Sequence, residues 1–164
     1  MLKRARRFVT QSLIGIAITA ISILLLQAAL SPWYLFGVNV NESLPGTLYL
    51  VYRGELPSRD DIAAFRTPPN PYYPVDVPFI KIVKGVPGDR ITRNGQEFSI
   101  NGRTVGLVKL KTRDGLPLTS GPTGVLPPHH YFFWTSHKDS YDSRYAEIGW
   151  ISEDRIVGRA VRVF

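Results

Sequence analysis

The sequence has no cysteine, a single methionine and only three histidines, His129, His130 and His137. Without thiols there is no disulfide, no thiolate zinc site, no iron–sulfur cluster and no cysteine nucleophile. Three histidines leave little from which to build a metal centre, and no metal or other cofactor is expected. Acidic residues are also missing from the start of the chain. The first is Glu42, and from Phe8 to Val40 there is neither a charged residue nor a histidine. No internal repeat and no long amphipathic helix pattern is visible.

Within 164 residues, 44% hydrophobic and 20% charged residues exclude wholesale disorder. The net charge is +7 and the pI about 9.9. Such a pI is often a nucleic-acid signature. Here Lys3, Arg4, Arg6 and Arg7 crowd the first seven residues, and without those four cations the net charge falls to +3. No nucleic-acid partner is expected. A basic cluster followed by an apolar run instead points to a lipid bilayer.

The run from Ser12 to Leu30 is about 19 residues, long enough at ~1.5 Å per residue to cross a hydrocarbon core. A cleaved leader usually has a shorter apolar region, and Pro32 would follow the small-residue site at Ala29-Leu-Ser31. The reading is a retained anchor over 12–31, preceded by a cytoplasmic basic segment, 1–11. Pro32 ends the helix, with Trp33, Tyr34 and Phe36 at the interface. Residues 32–164 then lie outside the cytoplasm, which in a bacterium places the protein in the inner membrane.

Beyond the anchor, β-branched and aromatic runs alternate with Pro, Gly and Asn, predicting strands near 47–52, 79–83, 90–92, 98–100, 105–110, 131–135 and 155–164. Arg93-Asn-Gly-Gln96 and Asn101-Gly-Arg103 are turn signals, and the proline-rich 67–74 predicts a loop. The fold class is mostly β: one transmembrane helix followed by one compact β domain.

Three segments carry groups capable of reaction chemistry. Ser43 precedes a Pro-Gly turn, where a serine is either an aimed nucleophile or a local turn-former. Lys81 lies between Phe79 and Val83 on one strand face. It is either partly desolvated, with an amine basic near neutral pH, or simply snorkels to water. Lys84 faces the other way and is the candidate for plain solvent exposure. Asp89, closing Gly85-Val-Pro-Gly-Asp89, is expected to bond turn N–H groups. The polar stretch 136–149 contains Ser140, Asp142 and Arg144, and Asp142 and Arg144 could form an ion pair.

Together these segments resemble the signal peptidase I family of Ser–Lys membrane peptidases. Phe79-Ile-Lys-Ile-Val-Lys-Gly-Val-Pro-Gly-Asp89 is similar to its lysine box. Ser140-Tyr-Asp-Ser-Arg-Tyr145 is similar to its Asp-Ser-Arg box, and Ile156-Val-Gly-Arg-Ala160 to its closing strand. Around the nucleophile this chain has Ser43-Leu-Pro-Gly-Thr-Leu48, without the Met of general signal peptidases and with Pro one position earlier. An Asn-x-Ser-x-Pro-x-x-x-Tyr segment in a short chain is most similar to the conjugative-transfer branch, which matures pilin precursors for type IV secretion, some members cyclising the pilin. The resemblance implies Ser43 as nucleophile, Lys81 as general base and Asp142 as a third functional residue. It also implies an oxyanion hole from the Ser43 N–H and Asn41, with Ser140 and Arg144 in the supporting loop. Its implied partners are membrane-protein or pilin precursors and type IV secretion components. A general type I signal peptidase, or a non-catalytic membrane-anchored β module of a secretion complex, are the other readings.

Overall fold

The computed structural model describes residues 2–39, 43–112 and 114–164, with side chains from residue 10 onward. The chain forms two compact units, residues 1–34 and 35–164. The first is built on α1 (Leu2–Leu30). Within α1, Thr10–Leu30 is an apolar stretch of 21 residues with mean hydropathy 2.4, none of it buried, long and apolar enough to cross a membrane. After α1 the Ser31 N–H still reaches Gln27 O, but Pro32 has no N–H to offer and the chain turns.

The second unit carries the strands. They are β1 (Tyr34–Val38), β2 (Leu48–Arg53), β3 (Ile62–Arg66), β4 (Pro78–Gly85), β5 (Arg90–Asn94), β6 (Glu97–Ile100), β7 (Arg103–Leu107), β8 (Gly124–Val125), β9 (His130–Trp134), β10 (Ile151–Ser152) and β11 (Ile156–Arg162). Among the described residues they make a seven-stranded sheet, β1-β2-β11-β3-β4-β9-β10, and a four-stranded sheet, β7-β6-β5-β8. The last strand lies between β2 and β3, pairing antiparallel with both.

Period-two alternation explains which side chains go inside. In β4, Phe79, Lys81 and Val83 are buried on one face, as their spacing predicts. That face packs on Ala63, Phe65, Phe133, Ile148 and Ile151. The opposite face, with Ile80 and Ile82, packs against Leu44, Tyr49, Val51, Ala64 and Ala160. Strand β9 is apolar on both sides: Phe133 joins the first cluster, and Phe132 joins Ile91, Phe98, Ile100, Val108 and Leu126 under the smaller sheet. Consecutive phenylalanines thus knit the two sheets together.

Four strands escape the sequence pattern. Strand β3 lacks a clean alternation, since Ala63, Ala64 and Phe65 are consecutive and all buried, while β1 alternates only between exposed and half-buried positions. Strands β8 and β10 have two residues each and exist only through their partners. Strand β7 begins two residues before the expected 105–110 and stops three short of its end. Lys84 is not simply solvated: it pairs with Asp60 and lies 5.4 Å from the Trp134 ring centroid.

The β4–β9 ladder slips between Val83 and Gly85, a β-bulge that brings Gly85 against Phe132. A Cβ on Gly85 would sit 2.7 Å from Leu126 Cδ1 and 2.8 Å from Phe132 Cβ. Gly85→Ala is therefore expected to destabilise the fold by about 1–3 kcal/mol through overpacking, read from thermal or urea unfolding of the detergent-solubilised protein.

Candidate active site

Ser43 stands on the turn between β1 and β2. The next residue, Leu44, is buried and anchors the turn in the core, while Pro45 and Gly46 stay exposed. Gly46 has φ +96°, a left-handed conformation that the glycine supplies at no steric cost. The turn holds Ser43 half-buried, and its hydroxyl meets the amine of Lys81, Nζ to Oγ 3.1 Å.

Lys81 reaches this point from the middle of β4. Its register partner on β3 is Ala63, whose methyl leaves room for a long side chain to lie along the sheet. Only 6% of Lys81 is exposed. The amine also donates to Ser140 Oγ at 3.1 Å and lies 5.5 Å from the Phe79 ring centroid. Burial pushes its pKa down from the usual 10.5 to about 8, against the Asp142 carboxylate, which favours the ammonium, and with Arg144, which disfavours it.

Ser140 is placed by the loop after β9. There Asp142 and Arg144, both buried, form the expected ion pair in bidentate geometry, Nε to Oδ1 2.8 Å and Nη2 to Oδ2 2.9 Å. Arg144 Nη1 donates to Leu107 O and its backbone N–H to Asp142 Oδ1. Gly121 N–H donates to Arg144 O and Ala146 N–H to Thr119 O, tying the loop to the chain before β8. Tyr141, next to Ser140, stacks on Tyr73 and meets Tyr72 edge-on, so the proline-rich loop folds over the same region. Tyr73 also packs edge-on against Phe79.

The structure thus brings Ser43, Lys81 and Ser140 into one hydrogen-bonded chain from three distant segments. Asp142 lies one step back: Arg144 takes both its oxygens, and its influence on Lys81 is through its field. Asn41 lies outside the described residues. Asp89 is occupied by its own turn, accepting from Val86 N–H, Asn101 and Arg59. An open groove lined by Ser43, Leu44, Pro45, Ser136, His137 and Lys138 leads to the hydroxyl. A second groove, between Gly54 and the His129–His130 turn, holds none of these groups. Asn39, which sequence reading passed over, and Tyr49, the last residue of the Asn-x-Ser-x-Pro-x-x-x-Tyr segment, touch the turn directly. Asn39 Nδ2 donates to Leu44 O and Gly46 O, and the Tyr49 hydroxyl donates to Pro45 O.

The buried amine makes stability depend on pH. Unfolded Lys81 holds its proton to about 10.5, the folded side chain only to about 8. Between those values unfolding takes up a proton, so stability rises with pH across the window. Below pH 8 the full cost applies, about 3 kcal/mol for a shift of this size. Lys81→Met, allowing for two lost hydrogen bonds, is expected to stabilise the fold by about 2 kcal/mol at pH 7. The gain should shrink toward pH 10; unfolding curves at three pH values give the comparison. Asp142→Ala should do the opposite, costing about 3–5 kcal/mol by leaving Arg144 buried and unpaired.

Comparison with known proteins gives the family. The family model for signal peptidase, peptidase S26, matches residues 6–164. A conjugal transfer protein TraF of Agrobacterium tumefaciens (strain 15955) is 41% identical over 70 residues, covering 42% of this chain and 39% of the relative. The chain therefore matches about two fifths of that curated relative's length. A crystal structure of a signal peptidase I from Enterococcus faecalis V583 superposes with a TM-score of 0.42 and 23% identity, covering 64% of this chain and 97% of that one. Since the family model matches residues 6–164, spanning the Ser43 turn, the Lys81 strand and the Asp-Ser-Arg loop to the last residue, the chain belongs to the signal peptidase family, peptidase S26.

Proposed function

We propose that this chain is a membrane-anchored serine endopeptidase that cleaves leader peptides or pilin precursors in conjugative transfer by a Ser43/Lys81 dyad. The observation that carries the reading is a buried lysine amine, 3.1 Å from a serine hydroxyl, with a pKa of about 8. An ordinary lysine is a charged donor at neutral pH and cannot accept a proton. With its pKa at about 8, this one is neutral in about a tenth of molecules at pH 7, far more than an ordinary lysine.

In the neutral state one Nζ–H donates to Ser140 Oγ and the lone pair faces the Ser43 hydroxyl. Nζ takes the Ser43 proton as Oγ attacks the scissile carbonyl. The resulting oxyanion is held by the Ser43 N–H and, on this reading, by the side-chain amide of Asn41. The Lys81 ammonium then protonates the leaving amine, giving the acyl-enzyme. Water, activated by the neutral amine in the same way, hydrolyses it. If the precursor's own amine reached the acyl group first, the product would be cyclic. Asp142 acts as a positioning residue, since with Arg144 it fixes the loop that presents Ser140.

The apolar α1 stretch supports an anchor over 12–31. The cations at Lys3, Arg4, Arg6 and Arg7 support a cytoplasmic 1–11 and a peptidase domain, 32–164, on the far side of the bacterial inner membrane. Anchoring holds the dyad close to the membrane surface, where a precursor's hydrophobic segment ends, and raises the effective concentration. The name of the Agrobacterium relative supports the conjugative setting and, with it, type IV secretion partners.

The test is co-expression with candidate pilin and leader precursors, read by intact mass. Ser43→Ala and Lys81→Ala should each abolish processing, and Asn41→Ala should slow it about 10²–10³-fold. Cleavage rate should rise with pH to a plateau above about 8, as Lys81 loses its proton. A processed product one water lighter than the linear form identifies cyclisation. Processing that survives both dyad substitutions refutes the peptidase assignment of this pair.

A further inference from the structure

We infer that Asn39 and Tyr49 are positioning residues for the nucleophile: together they lock the three peptide carbonyls that follow Ser43 and so aim its hydroxyl at Lys81. The inference rests on the Ser43/Lys81 reading proposed above.

Three successive carbonyls leave the turn, and each accepts a side-chain hydrogen bond. Asn39 Nδ2 spends one hydrogen on Leu44 O at 2.9 Å and the other on Gly46 O at 3.1 Å. The Tyr49 hydroxyl donates to Pro45 O, between them. The Asn39 backbone N–H adds a fourth bond, to Thr47 O at 2.8 Å. From the other side, Thr47 N–H and Leu48 N–H donate to Phe164 O at 2.9 and 3.2 Å. With its carbonyls fixed, each peptide plane from 44 to 47 has its orientation set.

The bonds to Pro45 and Gly46 are not required to satisfy the backbone. Pro45 and Gly46 are exposed, so water could take their carbonyls at small cost. What water cannot supply is direction. Tyr49 can, because it is fully buried in β2 with its ring in the core cluster, leaving its hydroxyl a fixed donor beneath the turn. Burial holds that hydroxyl above the usual tyrosine pKa, partly offset by Arg162, so it stays a proton donor throughout the working range. Asn39, immediately after β1, has a planar amide whose two hydrogens diverge toward the two outer carbonyls. Either bond alone would leave the turn a rotation axis. The three side-chain bonds remove it.

Ser43 itself makes one side-chain hydrogen bond among the described residues, to Lys81. Its aim is therefore inherited from the backbone on which it stands. Displacement of a reacting atom by about 1 Å can cost about 10²-fold in rate. The two donors touch neither Ser140 nor Asp142, so the basicity of Lys81 should not depend on them.

The experiment compares Tyr49→Phe, Asn39→Ala and Asn39→Asp with wild type in detergent micelles. The substrate is a fluorogenic peptide carrying alanine at the first and third positions before the cut, with Ser43→Ala and Lys81→Ala as controls. Tyr49→Phe and Asn39→Ala should each lower kcat about 10–100-fold with KM within threefold. The pH midpoint should stay near 8, and thermal unfolding should shift by only a few degrees. Asn39→Asp, similar in size but presenting a carboxylate to two carbonyls, should be worse than Asn39→Ala. Crystal structures of the Phe and Ala variants should show Ser43 Oγ displaced from Lys81 Nζ. That readout needs no turnover and decides the matter if the peptide proves a poor substrate. A kcat within twofold of wild type in both variants, or loss of activity only in proportion to unfolded protein, overturns the inference. So does a Ser43–Lys81 distance that stays at 3.1 Å in the variant crystals. Activity surviving in the Ser43→Ala or Lys81→Ala control instead overturns the dyad itself, which separates the two failures.

Discussion

The site depends on keeping water away from one amine. An ammonium in a buried position gives up hydration that its neighbours only partly replace, and the proton is held less tightly as a result. The nearest strong charges pull in opposite directions: the Asp142 carboxylate favours the charged form and the Arg144 guanidinium opposes it. Their bidentate pairing is what lets a carboxylate sit behind the Lys81 amine while burial still lowers its pKa. A lone aspartate at that depth would undo what burial achieves. The ion pair therefore has two effects that arise from the same contacts: it orders the Ser140 loop and sets the Arg144 charge against the field of Asp142 at Lys81.

The sheet makes this burial sustainable. Strand alternation gives Lys81 the same inward face as Phe79 and Val83, so the backbone offers it no route to solvent on the strand's outer side. Its register partner on β3 is Ala63, among the smallest side chains that could stand there. The proline-rich loop, through Tyr73 stacked on Tyr141 and against Phe79, closes the aromatic side. The cost appears in stability, since the fold carries a destabilising buried cation at neutral pH. Such local cost is the usual companion of a functional group placed where packing alone would choose an aliphatic side chain.

How much of this was legible in the sequence follows from the range of each interaction. The apolar helix, the β4 alternation and the turn-forming Pro-Gly after Ser43 are local patterns, and each appears where its residues predict it. The juxtaposition of Ser43, Lys81 and Ser140 spans about a hundred residues, and no period or spacing encodes it. Only likeness to a family brought those three segments together before the structure did. Strands β8 and β10 were hidden because two residues carry no alternation. Asn39 was hidden for a different reason: an asparagine after a short apolar run reads as an ordinary turn residue, and nothing local shows that both its hydrogens have assigned acceptors. Tyr49 was read within the strand near 47–52 and as the end of the Asn-x-Ser-x-Pro-x-x-x-Tyr segment, but neither pattern shows that its hydroxyl bonds the turn.

On the proposed reading Lys81 is the base, and a lysine base imposes a constraint that a histidine base does not. Histidine can be steered through its second nitrogen while the first handles the proton. Lysine has one nitrogen, free to rotate at the end of a flexible stem, so its direction must come from the groups around it. Here Ser140 Oγ takes one hydrogen and Ser43 Oγ occupies a second direction, each at 3.1 Å. An acceptor that is itself mobile would not define that direction. Both partners are therefore held by their backbones, Ser140 by the loop that Asp142 and Arg144 tie down, and Ser43 by a turn whose carbonyls are taken. The precision that a triad concentrates in one imidazole is distributed here between two anchored serines. A substitution remote from the amine can then disarm it by loosening either anchor, with the lysine's own surroundings unchanged.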